Sequence, residues 1–146
     1  MGLGTTAFRG WLLFNGLYID VFGLFLLPMF FPSVAETWPF PNIPEMLAPL
    51  PIHTGLTSTS FGMRALCWGF LLHGILRAAA GYTADATLAK LAALSYVLEA
   101  AYFASEVFVY NAVGDGGKAA CALCPVLAFF CLTLFGPAAP KKGKKA

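Results

Sequence analysis

Four long apolar runs with little between them leave this chain no means of building a water-facing surface. They fall at about residues 8–31, 58–81, 86–110 and 118–135, and each is close to the roughly 20 residues that a helix needs to cross the hydrocarbon core of a bilayer. Phe, Leu, Val and Trp recur on every face of these runs rather than on one stripe, which excludes a soluble amphipathic bundle. Only 11% of the residues are charged, against roughly 25% in soluble domains. The expected fold is therefore all-α: an integral membrane bundle of four transmembrane helices in a single domain, residues 1–140, followed by a basic tail at 141–146.

The first run does not read as a cleaved signal peptide, because it is too long and ends in Met29-Phe30-Phe31-Pro32 where small residues are needed. Residues 32–55 hold six of the ten prolines, so an extended, turn-rich loop is expected there. The second run is opened by a Thr/Ser cluster and closed by Gly81, and Asp85 is placed to cap the third. Arg9, Arg77, Lys90 and the tail lysines fall on one side of this arrangement, while the long first loop carries no Lys or Arg. The positive-inside rule then puts both termini in the cytosol, N-in/C-in. Four of the nine cations lie in the last six residues and the net charge is only +2, which leaves no folded basic surface for nucleic acid.

Ionisable groups inside spans are costly, about 2.5–3.5 kcal/mol each for Asp, Lys and Arg at mid-membrane on insertion scales, so those present should pair. Arg64 and Glu106 fall at equal depth near the luminal ends of spans two and three and are expected to meet. Asp20, His73 and Glu99 lie deeper and are expected to form a second polar cluster. These five residues could form a proton path or a clamp that fixes helix packing; four short helices without an inverted repeat favour the clamp. Gly69, Gly74 and Gly81, with Ala78, Ala79 and Ala80, are expected to let helices approach closely.

Chemistry is poorly represented. His53 and His73 lack H-E-x-x-H spacing, there is no G-x-S-x-G elbow, and no glycine-rich phosphate loop follows a strand. Cys121 and Cys124 form an isolated C-x-x-C without a second pair or a βαβ setting, and with Cys67 and Cys131 they read as small buried side chains. No enzyme activity, cofactor or metal is expected.

The stretch from Thr87 to Tyr110 ends in F-x-S-E-x-F-V-Y, carried by Phe103, Ser105, Glu106, Phe108, Val109 and Tyr110. Together with an R-x-W-L start to span one (Arg9, Trp11) and a G-L-x-x-x-[ST]-F-G opening of span two (Gly55, Leu56, Phe61, Gly62), it resembles the ergosterol biosynthetic protein 28 family. The three motifs cover roughly residues 9–110, and the fourth span resembles the family only in being apolar. The chain departs from the family pattern at Thr54, Thr59, Ser60 and Tyr102, and Glu99 is an extra acid.

The resemblance implies a non-catalytic scaffold of the endoplasmic reticulum membrane that holds together the enzymes of sterol C-4 demethylation. Lys142 and Lys144, five and three residues from the carboxyl end, resemble a K-x-K-x-x retrieval signal; a solvated stop-transfer charge cluster is the plain alternative. The residues themselves leave a second reading open, a small accessory subunit of a large respiratory, ATP-synthesising or photosynthetic complex, in the mitochondrial inner membrane or another organellar membrane. On either reading the partners are other integral membrane proteins and lipid.

Overall fold

The computed structural model describes residues 2–31, 34, 61–109 and 115–135. Most of the first loop, including Gly55 and Leu56, together with Tyr110 and the tail with Lys142 and Lys144, lies outside the described residues. The described residues form four helices and no strand: α1, Leu3–Phe30; α2, Phe61–Thr83; α3, Ala86–Phe108; and α4, Asp115–Leu134. Three stretches, Leu3–Phe30, Ala86–Phe108 and Gly117–Leu134, are long and apolar enough to cross a membrane. At 1.5 Å per residue, the 23 residues of α3 reach roughly 34 Å, enough for the roughly 30 Å core.

α2 has the length of α3 but a more polar composition, because it carries Arg64, His73 and Arg77 as well as four glycines. It runs antiparallel to α1. Arg9 of α1 donates from Nε to the Gly81 carbonyl at 2.8 Å and from Nη2 to the Tyr82 carbonyl at 2.6 Å, so a cation sits where the last carbonyls of α2 lack helical partners. Further along, Gly16 faces Gly74 and Ala78, so closely that a Cβ built on Gly16 would lie 2.5 Å from the Gly74 carbonyl oxygen. A Cβ on Gly74 would lie 2.6 Å from the Gly16 carbonyl oxygen, and one on Gly81 would lie 2.8 Å from that of Arg9. Gly74, Ala78 and Gly81 thus form the small-residue seam by which membrane helices bring their backbones together. Gly69 belongs to the same sequence stretch but not to the seam, since a Cβ there meets nothing within 4 Å.

The middle of α1, Phe14–Leu26, is wound as a π-helix. The Leu27 amide bonds the Phe22 carbonyl, five residues back. In an α-helix, residues five apart are turned roughly 140° from each other, whereas i→i+5 bonding stacks them on one face. Asn15 and Asp20 are five apart, and both are buried toward the bundle.

α2 passes to α3 through a tight turn at Ala84, whose φ of 56° is left-handed, and Asp85 then caps α3 by accepting from the amides of Thr87 and Leu88, both at 2.9 Å. α3 and α4 share the most extensive contact in the bundle. Their apolar core is built of small side chains, Ala89, Ala92 and Ala93 with Cys124, Ala128 and Cys131, joined by Phe8 and Leu12 of α1. A second core, Leu24, Phe25, Cys67, Phe70 and Phe103, fills the opposite end of the α1–α2–α3 group. α4 begins with an exposed Asp115–Lys118 pair at 3.1 Å and contains Pro125, which removes one amide from its ladder. All four cysteines are free.

Candidate functional site

The polar side chains inside the bundle converge on Arg77, which is only 1% exposed. Its Nη1 donates to Asp20 Oδ2 at 2.9 Å and, more loosely, to Asn15 Oδ1 at 3.4 Å. Its Nη2 donates to Glu99 Oε2 at 2.5 Å, and its Nε donates to Ser95 Oγ at 3.0 Å. The guanidinium carbon lies 3.7 Å from the centre of the Tyr96 ring, a cation–π contact that desolvation strengthens. Tyr96 in turn donates its hydroxyl to Asn15 Oδ1 at 2.5 Å. One arginine of α2 thereby ties α1 to α3.

Each helix supplies its partners by a simple spacing. Asn15 and Asp20 come from the π segment, where five residues make one face. Ser95 and Glu99 are four apart on α3, as His73 and Arg77 are on α2, which is same-face spacing in an α-helix. A planar guanidinium with five N–H donors suits such a site better than lysine would, because it binds several oxygens in fixed directions. Two carboxylates against one guanidinium leave a formal excess of one negative charge. His73 sits beside this cluster, with Nδ1 3.9 Å from Glu99 Oε2, too long for a hydrogen bond. That nitrogen is buried and has no hydrogen-bond partner among the described residues.

Glu99 lies between two cavities. One, of about 90 Å³, is lined by Leu66, Phe70, His73, Leu98, Glu99 and Tyr102. The other, of about 250 Å³, opens between α1, α3 and α4; its surface is mostly apolar, and Asp20 and Glu99 are among the residues around it. The Trp11 indole nitrogen is likewise buried, beside the Tyr96 hydroxyl.

Asp20 and Glu99 lie against Arg77, with His73 beside Glu99. Arg77 was expected to mark the cytosolic end of span two, and that expectation is corrected: the side chain turns into the bundle, where two carboxylates compensate its burial. Asn15, Ser95 and Tyr96 were not singled out, since uncharged polar residues are common in apolar spans. Arg64 is exposed near the start of α2 and Glu106 is half-buried near the end of α3, which places both at the same end of the antiparallel pair. Of the motif residues, Arg9 holds the end of α2 and Phe103 is buried in the second core. Ser105 donates its hydroxyl to the Tyr102 carbonyl at 2.7 Å, and Phe108 and Val109 are exposed. Phe61 and Gly62 form the first turn of α2.

Fold and site together define a helical multi-pass membrane protein with a cluster of buried charges between its helices. The model of the Erg28-like family matches residues 47–131, more than half of the chain, and the chain belongs to that family. The match starts after the Arg9-Trp11 motif and runs through most of α4, further than the quoted motifs reach. Neither the curated proteins nor the solved structures gave a match.

Proposed function

We propose that this protein is a non-catalytic membrane scaffold that tethers partner membrane proteins, and that these partners are the enzymes of sterol C-4 demethylation in the endoplasmic reticulum. Membership of the Erg28-like family supports a place in the sterol pathway. The observation that carries the scaffold role is the division between inside and outside. The cluster around Arg77 is hydrogen-bonded between helices inside the bundle, while the outer faces carry large apolar side chains such as Trp68 and Phe129, 58% and 62% exposed. Such faces suit helix-to-helix contact in lipid, where packing is the main attraction. Co-localising enzymes raises the effective concentration of each near the next to about the millimolar range without new chemistry.

On this reading α2 also spans the membrane, N-in/C-in topology places residues 32–55 in the lumen, Lys142 and Lys144 serve retrieval, and Arg64 pairs with Glu106. Affinity capture from gentle detergent tests the role. Recovery of sterol demethylation enzymes is the expected result, and recovery of respiratory, ATP-synthase or photosynthetic subunits in their place would assign the chain to an organellar complex. The orientation is checked by protease protection of an epitope near Asn42 in sealed microsomes, where digestion would reverse it.

A further inference from the structure

The buried charges around Arg77 do not balance. The side chains of Asp20, Arg77 and Glu99 are 2%, 1% and 10% exposed, and with both carboxyls ionised they sum to one negative charge. The groups that face them from each helix supply no second full cation among the described residues. α1 adds Asn15, and Trp11 beside the Tyr96 hydroxyl. α3 adds Ser95 and Tyr96, and α4 adds the Cys124 thiol. All of these are neutral at ordinary pH. α2 adds His73, whose Nδ1 stands 3.9 Å from Glu99 Oε2. Arg9 is engaged elsewhere, at the carbonyls of Gly81 and Tyr82.

We propose that this cluster is a pH-sensitive clasp between α1, α2 and α3: its two carboxyls share one exchangeable proton at neutral pH, and release of that proton loosens α1. An unbalanced charge is penalised far more heavily in a buried, low-dielectric setting than in water, so the missing positive charge has to be supplied. A metal ion lacks a site, since no three His, Cys, Asp or Glu side chains come together to hold one among the described residues. His73 is poorly placed to supply it, because 3.9 Å is too long for the hydrogen bond an imidazolium would donate to Glu99. The carboxyls themselves remain. Coupled through one guanidinium, they titrate as a pair, and the proton belongs to both.

The geometry suits one proton rather than none or two. With one, Arg77 keeps one carboxylate as an ion pair and the other carboxyl as a neutral acceptor, and the net charge is zero. With none, a negative charge is left over; with two, the guanidinium is a lone buried cation. Release has a mechanical outlet, because Asp20 and Glu99 are both among the residues around the cleft between α1, α3 and α4. Water drawn to the extra charge enters there, where α1 is tied to α3 through Arg77 and through the Tyr96 hydroxyl on Asn15. The clasp does not rest on the scaffold reading, and either can fail alone.

The test uses the full chain in phosphatidylcholine nanodiscs and reads protonated carboxyls by their infrared C=O band. The wild type is expected to show at neutral pH a component that fades as the pH is raised. Asp20→Asn and Glu99→Gln should each abolish that component, since Arg77 is then balanced by the remaining carboxylate, whereas His73→Gln and Glu106→Gln should retain it. Unfolding in mixed micelles gives a second readout. Between about pH 6 and 8, where ordinary carboxyls are ionised, the folded wild type holds one proton more than the unfolded chain. Its unfolding constant should therefore rise with pH by up to about tenfold per unit, and Glu99→Gln should remove that slope. The wild-type band and slope decide even where a variant fails to fold. Absence of the component, a component that survives in both Asp20→Asn and Glu99→Gln, or a slope abolished by His73→Gln would overturn the proposal. So would stability that follows sodium concentration and not pH.

Discussion

Where α1 meets α2, backbone touches backbone across Gly16, Gly74 and Gly81, and Arg77 of α2, bonded to Asp20 and Asn15 of α1, sets the register. Where α3 meets α4, alanines and cysteines pack without any such network. The first contact tolerates one arrangement, because directional bonds and sub-van-der-Waals margins both fail on a small slip. The second relies on dispersion between small side chains, which falls off gradually as atoms separate. Geometry is therefore dictated on one side of the bundle and accommodated on the other.

The largest expected effect attacks the dictated side. Arg77→Met should destabilise the protein by about 3–5 kcal/mol, because it strands Asp20 and Glu99 as uncompensated buried acids; the net worth of an intact polar pair in a membrane is smaller, about 0.6 kcal/mol on average. Unfolding in mixed micelles followed by tryptophan fluorescence measures it. Adding Asp20→Asn and Glu99→Gln to the same variant should recover part of the loss, and a cost below about 1 kcal/mol would show that the cluster fixes nothing.

Gly74→Val should follow, at about 1–3 kcal/mol or more for overpacking against the Gly16 carbonyl and the Asp20 Cβ. Gly69→Ala is its control and should be silent or slightly stabilising, since its Cβ meets open space. Equal effects at the two glycines would remove the seam from the argument.

On the accommodating side, Cys131→Ala deletes one buried sulfur from a core of small residues and should cost about 1 kcal/mol or less by the same unfolding measurement. A loss comparable to that of Arg77→Met would erase the contrast between the two interfaces. Smallest is Ala84→Gly. The left-handed φ of Ala84 costs a non-glycine residue roughly 1–2 kcal/mol, and the greater freedom of glycine in the unfolded chain returns roughly 0.4–1. A net gain of about 0.5–1 kcal/mol is expected, visible as a higher midpoint.

Apolar run length was enough to read the helices from sequence, because lipid demands continuous hydrophobic segments and the prolines break them visibly. The Asp85 cap and the Gly74–Gly81 seam could also be read, each from a local rule. Arg77 could not. An arginine followed by Ala78-Ala79-Ala80-Gly81 has the same local pattern whether it marks a membrane boundary or faces inward, and the choice depends on which acids the other helices bring to its depth. The deciding element, the π segment that sets Asn15 and Asp20 on one face, has no periodicity signal in an all-round apolar run. Counting charges by depth offered the one available hint, since Asp20 and Glu99 needed a cation and His73 alone was a weak candidate.

The ion pair between Asp20 and Arg77 spans 57 residues of chain, and this separation has a cost in time during synthesis. At about 5–20 residues per second, some 3–11 s pass between the making of the acid and the making of its counter-ion. For that interval α1 carries an uncompensated carboxyl group beside or within the insertion machinery, and it can settle into lipid at full stability only once α2 arrives. The first two helices of this protein are therefore expected to leave the insertion site as a pair, with the α1–α2 hairpin as the unit of membrane entry.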